Sequence, residues 1–110
     1  MKENVVLKQI KSYCEQVLSR DMFIWRQNTQ GTFIKARGAY VFHGLAGVPD
    51  LVGMLKDGRF IGIEVKRTGK KTEQRPAQKE FEIKCKAFKG VYILTDGIDD
   101  FINQYKAVIK

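Results

Sequence analysis

The stretches that decide the fold of this chain are Gly47-Val48-Pro49-Asp50 and, after thirteen intervening residues, Glu64-Val65-Lys66. Between them, residues 51–55 are apolar, residues 56–59 contain the Asp-Gly pair typical of a tight turn, and residues 60–65 are mostly apolar again. Two apolar runs joined in this way predict an antiparallel hairpin. Because a hairpin returns the end of its second strand beside the start of its first, we expect Asp50 and Glu64 to lie close together at one end of a sheet.

Two carboxylates that lie close together repel each other unless a cation lies between them. Their oxygen atoms suit Mg²⁺ or Mn²⁺ better than zinc. Lys66 follows Glu64 by two positions, so both side chains project from the same face of the strand, with Val65 turned the other way. A divalent ion beside an ammonium group suits phosphodiester hydrolysis, because the metal lowers the pKa of a bound water while the lysine stabilises developing charge.

Each of these short motifs also has an ordinary structural explanation. Pro-Asp commonly starts a turn, and a Glu-x-Lys pair on a strand is often a solvated face. The joint pattern favours the functional interpretation, because Glu64 lies inside an apolar run that predicts a buried strand. Buried carboxylates are rare unless they are paired or bound to a metal.

Pro49-Asp50 followed by Glu64-Val65-Lys66 resembles the signature of the PD-(D/E)XK nuclease superfamily, and the wider pattern resembles its virus-type replication-repair nuclease (VRR-NUC) branch. The further matches are Glu3, Trp25-Arg26-Gln27-Asn28-Thr29 and Arg75-Pro76-Ala77-Gln78, so the resemblance covers nearly the whole chain. It implies a restriction-endonuclease-like fold and a metal-dependent endonuclease that acts on structured or branched DNA, such as a Holliday junction, during replication, recombination or repair.

The resemblance also implies a role for each residue of the site. Carboxylates and one main-chain carbonyl would bind Mg²⁺ or Mn²⁺, a lysine would act on the reacting phosphate, and an amide would support them. The implied metal ligands are Glu3, Asp50, Glu64 and the carbonyl of Val65, the catalytic lysine is Lys66, and the supporting residue is Gln78.

Two of these residues have alternative explanations that the pattern of the sequence leaves open. Glu3 begins a helix predicted over residues 3–19, where an acidic side chain also favours the positive helix N-terminus. Gln78 follows Pro76, which suits the first position of a helix, and its amide could cap that helix or reach into the metal site. The apolar stripe that Gln78 heads consists of Phe81, Cys85 and Phe88.

Length and charge limit the class of protein. With 110 residues, 44% of them hydrophobic, the chain predicts one domain over residues 1–110. It has no apolar run suited to a membrane span or a signal peptide, so we expect no membrane partner and a cytoplasmic location, the host cytoplasm if the source is a phage. The net charge of +8 favours a polyanionic partner, nucleic acid before an anionic membrane, and the predicted metal site points to DNA.

The rest of the chain predicts how the sheet is completed. Residues 22–26 favour a strand and residues 90–95 a buried strand, and the helix that precedes the latter implies a parallel crossover. Asp96 is expected to cap a final helix, while Cys14 and Cys85 are expected to be buried, reduced thiols. We therefore expect an α/β domain with a mixed sheet of about four strands flanked by helices.

Residues 32–44 mix aromatic and basic side chains. The mixture suits either a surface that stacks bases or a hairpin that packs its apolar side on the core, and both remain open. His43 is the only histidine, so a histidine-based metal site or a Ser-His-Asp triad has little support. The residues expected to contact DNA phosphates are Arg26, Lys35, Arg37, Arg67, Lys70 and Lys71.

Coordinated cutting of both strands of a branched DNA needs two active sites, and each chain supplies one. We therefore expect a homodimer with two-fold symmetry. The alternative function is a catalytically inactive nucleic-acid-binding module of the same fold, which would keep the basic surface and lose metal binding. The complete set of Asp50, Glu64 and Lys66 favours the nuclease.

Overall fold

The computed structural model describes residues 1–27, 32–41 and 45–109, which form three α-helices and six β-strands. Asn28, Thr29 and His43 lie outside the described residues. Short 3₁₀ turns occur at Lys35–Arg37 and Lys71–Glu73. In chain order the elements are α1 (Glu3–Gln16), β1 (Met22–Arg26), β2 (Thr32–Ile34), β3 (Ala39–Val41), β4 (Leu51–Leu55), β5 (Phe60–Val65), α2 (Pro76–Ala87), β6 (Val91–Thr95) and α3 (Ile98–Val108).

The main sheet contains four strands in the order β1-β4-β5-β6. β4 pairs with β1 and with β5 in antiparallel orientation, whereas β6 is parallel to β5 because α2 carries the chain back across the sheet. The predicted α/β class with a mixed four-stranded sheet is confirmed. β2 and β3 form a separate antiparallel hairpin, as one of the two interpretations of residues 32–44 requires, but the packing of its aromatic side chains lies outside the described residues.

The hairpin of β4 and β5 forms around Asp57-Gly58 as predicted. Gly58 has a φ angle of +93°, which favours glycine, and its N–H donates to the Leu55 carbonyl at 2.9 Å. The Arg59 N–H donates to the Asp57 carboxylate at 3.1 Å, which closes the turn. These local bonds explain why the Asp-Gly signal was sufficient to place the hairpin.

α1 and α3 cover one face of the sheet, and the hydrophobic core lies between these helices and the sheet. The helix predicted over residues 3–19 ends at Gln16, because the N–H groups of Val17 and Leu18 both donate to the Tyr13 carbonyl. The chain then turns toward β1, and this turn buries Leu18 in the core. Tertiary packing of Leu18 therefore ends the helix earlier than its apolar periodicity suggested.

The opposite face of the sheet is covered in its β5–β6 half by α2. The Phe81 ring packs against Phe60 and Tyr92, with ring centroids 6.0 and 6.4 Å apart. The β1–β4 half of the same face leaves the rings of Phe23 and Trp25 exposed. The two halves of this face therefore differ in their exposure to solvent.

Two predictions about helix ends are wrong. Phe88, expected on the buried stripe of α2, is 82% exposed because the helix ends at Ala87. Asp96, expected to cap α3, precedes the actual N-cap residue, Gly97. The Asp96 carboxylate instead accepts a hydrogen bond from the loop after β5, which a neighbouring parallel strand brings within reach.

α3 presents its predicted apolar stripe to the core, where Phe101 and Tyr105 are buried. Cys14 and Cys85 are both buried and free, as predicted. None of the three described helices combines the length and apolar character needed to cross a bilayer.

Candidate metal centre

Three carboxylates meet at one end of the main sheet. Glu3 is the first residue of α1, Asp50 directly precedes β4, and Glu64 lies near the end of β5. Carboxylate oxygens of all three residues lie within 4.8 Å of one another. The register pairs Leu51 with Ile63, so Asp50 and Glu64 stand opposite each other one step beyond that pair, as the hairpin pattern predicted.

Glu64 is the most deeply buried member of this cluster, with an exposed fraction of 2%. Its Oε1 accepts a hydrogen bond from Gln78 Nε2 at 2.9 Å, whereas Oε2 is buried and has no hydrogen-bond partner among the described residues. Burial first, and then the negative charge of Asp50, raise the pKa of the Glu64 carboxyl to about 9. A cation beside Oε2 would supply the partner that these described residues do not provide.

Lys66 lies directly after β5 and shares a site with Glu64, as the Glu-x-Lys spacing predicted. It is only 6% exposed. Its Nζ donates to Gln78 Oε1 at 3.0 Å and lies 3.9 Å from Glu64 Oε1. The ammonium group is therefore held inside the site, which contradicts the alternative of a solvated strand face.

Gln78 caps α2 and also contacts Glu64 and Lys66, and its role in a metal site stays a prediction. As the third residue of α2 it accepts a hydrogen bond from the Arg75 N–H at 2.8 Å, which caps the helix. The same oxygen accepts the bond from Lys66, and the amide nitrogen donates to Glu64. Because two donors define the position of its oxygen, the amide nitrogen is directed at the carboxylate.

Asp50 is positioned mainly through backbone groups. Its Oδ2 accepts a hydrogen bond from the Val65 N–H at 2.8 Å, and its own carbonyl accepts one from the Gln27 N–H at 2.8 Å. Gly47 has a φ angle of +78°, and a Cβ at that position would collide with the Ala77 carbonyl. The glycine therefore lets the segment before Asp50 approach the start of α2.

Glu3 reaches the cluster from the first turn of α1, and it is exposed. Its position is compatible with both explanations, because a carboxylate in that turn favours the positive helix end and also lies beside Asp50 and Glu64, and its role as a metal ligand stays a prediction. The hairpin supplies two carboxylates, whereas this third one comes from helix α1, which is far from the hairpin in the sequence.

The residues present fit a hard divalent cation. All the ligand atoms that the cluster offers are carboxylate oxygens, the donors that Mg²⁺ and Mn²⁺ prefer. The unpartnered Oε2 of Glu64 is a second, independent indication, because a buried carboxylate oxygen without a donor is unfavourable unless a cation compensates it. Val65 contacts the cluster through its N–H, and its role as a carbonyl ligand stays a prediction.

Three of the residues expected to contact DNA precede the site in the chain. Arg26 is the last residue of β1, and it is exposed. Lys35 and Arg37 are exposed in the 3₁₀ turn between β2 and β3. Their exposure is compatible with phosphate contacts, which stay predictions.

The other three belong to the loop that follows β5. Arg67 and Lys70 are exposed, and Arg67 pairs with Glu73 at 3.2 Å. Lys71 donates to the Asp100 carboxylate of α3 at 2.7 Å. An intramolecular ion pair competes with phosphate binding, so Arg67 and Lys71 would have to exchange partners to grip DNA.

Asp96 is a residue of this region whose role the sequence did not reveal. Its carboxylate accepts a hydrogen bond from the Gly69 N–H at 2.9 Å and so anchors the basic loop to the end of β6. The signal lay in the parallel pairing of β5 with β6, which places Val65 beside Thr95. Residues that follow two neighbouring parallel strands emerge at the same edge of the sheet.

No family model, curated protein or solved structure matched this chain. The chemistry of the site therefore has to be inferred from its own geometry. That geometry comprises a buried carboxylate with one unpartnered oxygen, two further carboxylates, and a buried lysine held by a glutamine.

Proposed function

We propose that this protein is a metal-dependent DNA endonuclease of the VRR-NUC type, which hydrolyses phosphodiester bonds in the presence of Mg²⁺ or Mn²⁺. The observation that carries the proposal is the unpartnered, buried Oε2 of Glu64 in a cluster with Glu3 and Asp50. A structural carboxylate pair would be expected to satisfy its own oxygens, and this one does not.

Glu3, Asp50 and Glu64 would hold the ion, with the Val65 carbonyl as a further ligand by the family resemblance. When bound, Mg²⁺ or Mn²⁺ polarises a phosphoryl oxygen and lowers the pKa of a water molecule. The hydrogen bond from the Val65 N–H fixes one oxygen of Asp50, which leaves the other for the ion. The bond from Gln78 likewise occupies Oε1 of Glu64 and leaves Oε2.

Lys66 supplies the positive charge that acts on the phosphate. Its ammonium is buried and bonded to Gln78, so its position is defined before substrate arrives. A preorganised donor of this kind stabilises negative charge that develops in the transition state more effectively than a mobile surface lysine. Gln78 acts as a positioning residue, since it orients both Lys66 and Glu64.

The substrate we propose is structured or branched DNA, cut in the cytoplasm by a homodimer. The net charge of +8 supports a polyanionic partner. The preference for branches rests on the family resemblance, and the dimer on the need for two sites to cut two strands. A mass near 12.6 kDa by light scattering at working concentrations would contradict the dimer.

Incubation of the protein with Mn²⁺ and labelled linear, flapped and four-way DNA tests the proposal directly. We expect cleavage that EDTA abolishes, and faster cleavage of the branched substrates than of the linear duplex. Calorimetry with Mn²⁺ provides the second measurement. A protein that binds DNA but neither binds Mn²⁺ nor cuts any substrate would be an inactive nucleic-acid-binding module, and the nuclease proposal would be wrong.

A further inference from the structure

The β1–β4 half of the sheet carries an exposed aromatic surface, which we call the aromatic platform and define as Phe23, Trp25 and Met54. Their exposed fractions are 62%, 45% and 41%. The rings of Phe23 and Trp25 stack on each other, with centroids 6.0 Å apart and an interplanar angle of 25°. Contiguous exposed apolar patches are uncommon on soluble proteins unless they bind a partner or ligand.

The platform lies on the same face of the sheet as the metal centre. The register pairs Phe23 with Met54 and Trp25 with Val52, and Val52 in turn with Gly62 of β5. Gly62 and Glu64 are two positions apart on that strand, so both positions face the same side of the sheet. Trp25 is paired with Val52, and Val52 is two residues from Asp50. The Trp25 position is therefore about 7 Å along the strand direction from the level of Asp50 and Glu64.

A chain of two hydrogen bonds connects the platform to the site. The Trp25 indole N–H donates to Gln27 Oε1 at 3.1 Å, and the Gln27 N–H donates to the Asp50 carbonyl at 2.8 Å. The indole nitrogen is thereby satisfied within the protein. The part of the Trp25 ring that remains available to a partner is its exposed apolar surface.

We infer that the aromatic platform stacks unpaired bases of single-stranded DNA beside the metal centre. Base stacking on exposed aromatic rings is how proteins hold single strands without reading their sequence. Charge complementarity favours DNA as the occupant, because neither β1 nor β4 contains an acidic residue, and the chain has a net charge of +8. The inference deepens the proposed function, on which it rests, by naming the substrate as DNA in which a single-stranded segment adjoins the bond that is cut.

The single tryptophan of the chain makes the test direct, because all tryptophan fluorescence comes from Trp25. We would titrate the protein with single-stranded oligothymidylate and with a duplex of equal length, in EDTA so that no cleavage occurs. Stacking should quench the fluorescence with the single strand. Labelled DNA and anisotropy give the affinities of variants that lack the tryptophan.

Trp25→Phe and Trp25→Leu both lose the bond to Gln27, so a comparison of the two isolates the aromatic ring. We expect Trp25→Leu to bind the single strand about tenfold more weakly, whereas Trp25→Phe stays close to the parent. Affinity for the duplex should change less than about twofold in both, since paired bases are not free to stack on a side chain. Phe88→Leu is the matched control, because Phe88 is an exposed aromatic residue outside the sheet.

Unchanged single-strand affinity in Trp25→Leu, or an equal loss for both kinds of DNA, would overturn the inference. If light scattering then showed a lower mass for Trp25→Leu, the occupant of the platform would be a second copy of the chain. Circular dichroism checks that the variants fold. Because the titration contains no divalent ion, quenching in a protein that cuts no DNA in Mn²⁺ would reject only the nuclease proposal, and cleavage without quenching would reject only the stacking inference.

Discussion

The carboxylates at the two ends of the β4–β5 hairpin have opposite environments and opposite pKa shifts. At the turn, the Asp57 carboxylate accepts hydrogen bonds from the Arg59 N–H and, at 2.8 Å, from Arg59 Nε. The bond from the backbone first, and then the guanidinium, lower the pKa of Asp57. At the other end, burial and the charge of Asp50 raise the pKa of Glu64, one oxygen of which has no hydrogen-bond partner in the described part of the chain.

This difference separates a carboxylate that serves the fold from one suited to bind an ion. The turn is exposed and satisfied, so its ion pair contributes little to the free energy of folding. At the other end, burial and the charge of Asp50 make ionisation of Glu64 unfavourable, and a bound cation would offset that cost. An arrangement that is unfavourable without a ligand is typical of a functional site.

The largest expected effect follows from removing the negative charge at one end only. Asp50→Asn and Glu64→Gln keep the shape of the side chains, but each should abolish cleavage and weaken Mn²⁺ binding together. The matched change at the turn, Asp57→Asn, should leave both activities at the parental level. Calorimetry with Mn²⁺ and a cleavage assay measure the two quantities, and a Glu64→Gln variant that still cut DNA would remove the distinction between the two ends.

Lys66→Met removes the ammonium and keeps much of the apolar stem. We expect cleavage to fall by roughly two orders of magnitude or more, because an electrostatic stabiliser of the transition state is lost. Mn²⁺ binding should persist or tighten, because a positive charge near the ion is gone. Cleavage near the parental rate would show that the lysine is only a neighbour of the metal and would remove the main chemical support for the nuclease.

The raised pKa of Glu64 predicts how the stability of the metal-free protein depends on pH. The unfolded chain releases this proton near the ordinary value of 4.5, whereas the folded protein keeps it to about 9. The stability that Glu64 contributes is therefore complete below the ordinary value and is lost as the pH rises through this window. Urea unfolding in EDTA should show a decrease of at most about 1.4 kcal/mol per pH unit from this group.

Two variants sharpen this pH prediction. Glu64→Gln should flatten the decrease between about pH 5 and pH 9, because the group that binds the proton is gone. Asp57→Asn should not flatten it, since Asp57 has a lowered pKa and acts only at acid pH. Equal slopes for the parent and Glu64→Gln would mean that Glu64 is ionised in the metal-free protein.

The smallest effect we expect concerns the salt dependence of DNA binding, measured in Ca²⁺ to prevent cleavage. Arg67→Ala and Lys70→Ala lie at the site end, and each should lower the slope of log affinity against log salt by about 0.9 per lost phosphate contact with duplex DNA. Arg59→Ala, at the turn end, should leave the slope unchanged. A parental affinity that did not respond to salt would contradict the electrostatic model for the whole surface.

Short-range patterns were sufficient for much of the fold and for the centre of the site. The Asp-Gly turn placed the hairpin, and the hairpin placed Asp50 opposite Glu64. The two-residue period of a strand placed Lys66 beside Glu64. These inferences succeeded because a turn and a strand are governed by neighbours a few residues apart, whose geometry varies little from one protein to another.

The sequence by itself therefore determined the four strands of the main sheet, the β4–β5 hairpin and the pairing of two carboxylates with a lysine. Only the tertiary structure decided that Glu3 joins them, that Gln78 caps a helix and holds Lys66 at once, and that Asp96 anchors the basic loop. It also decided which half of the second sheet face α2 covers, and hence that Trp25 is exposed. Those outcomes depend on how whole helices pack on the sheet, and packing energies add over many distant contacts that no local pattern records.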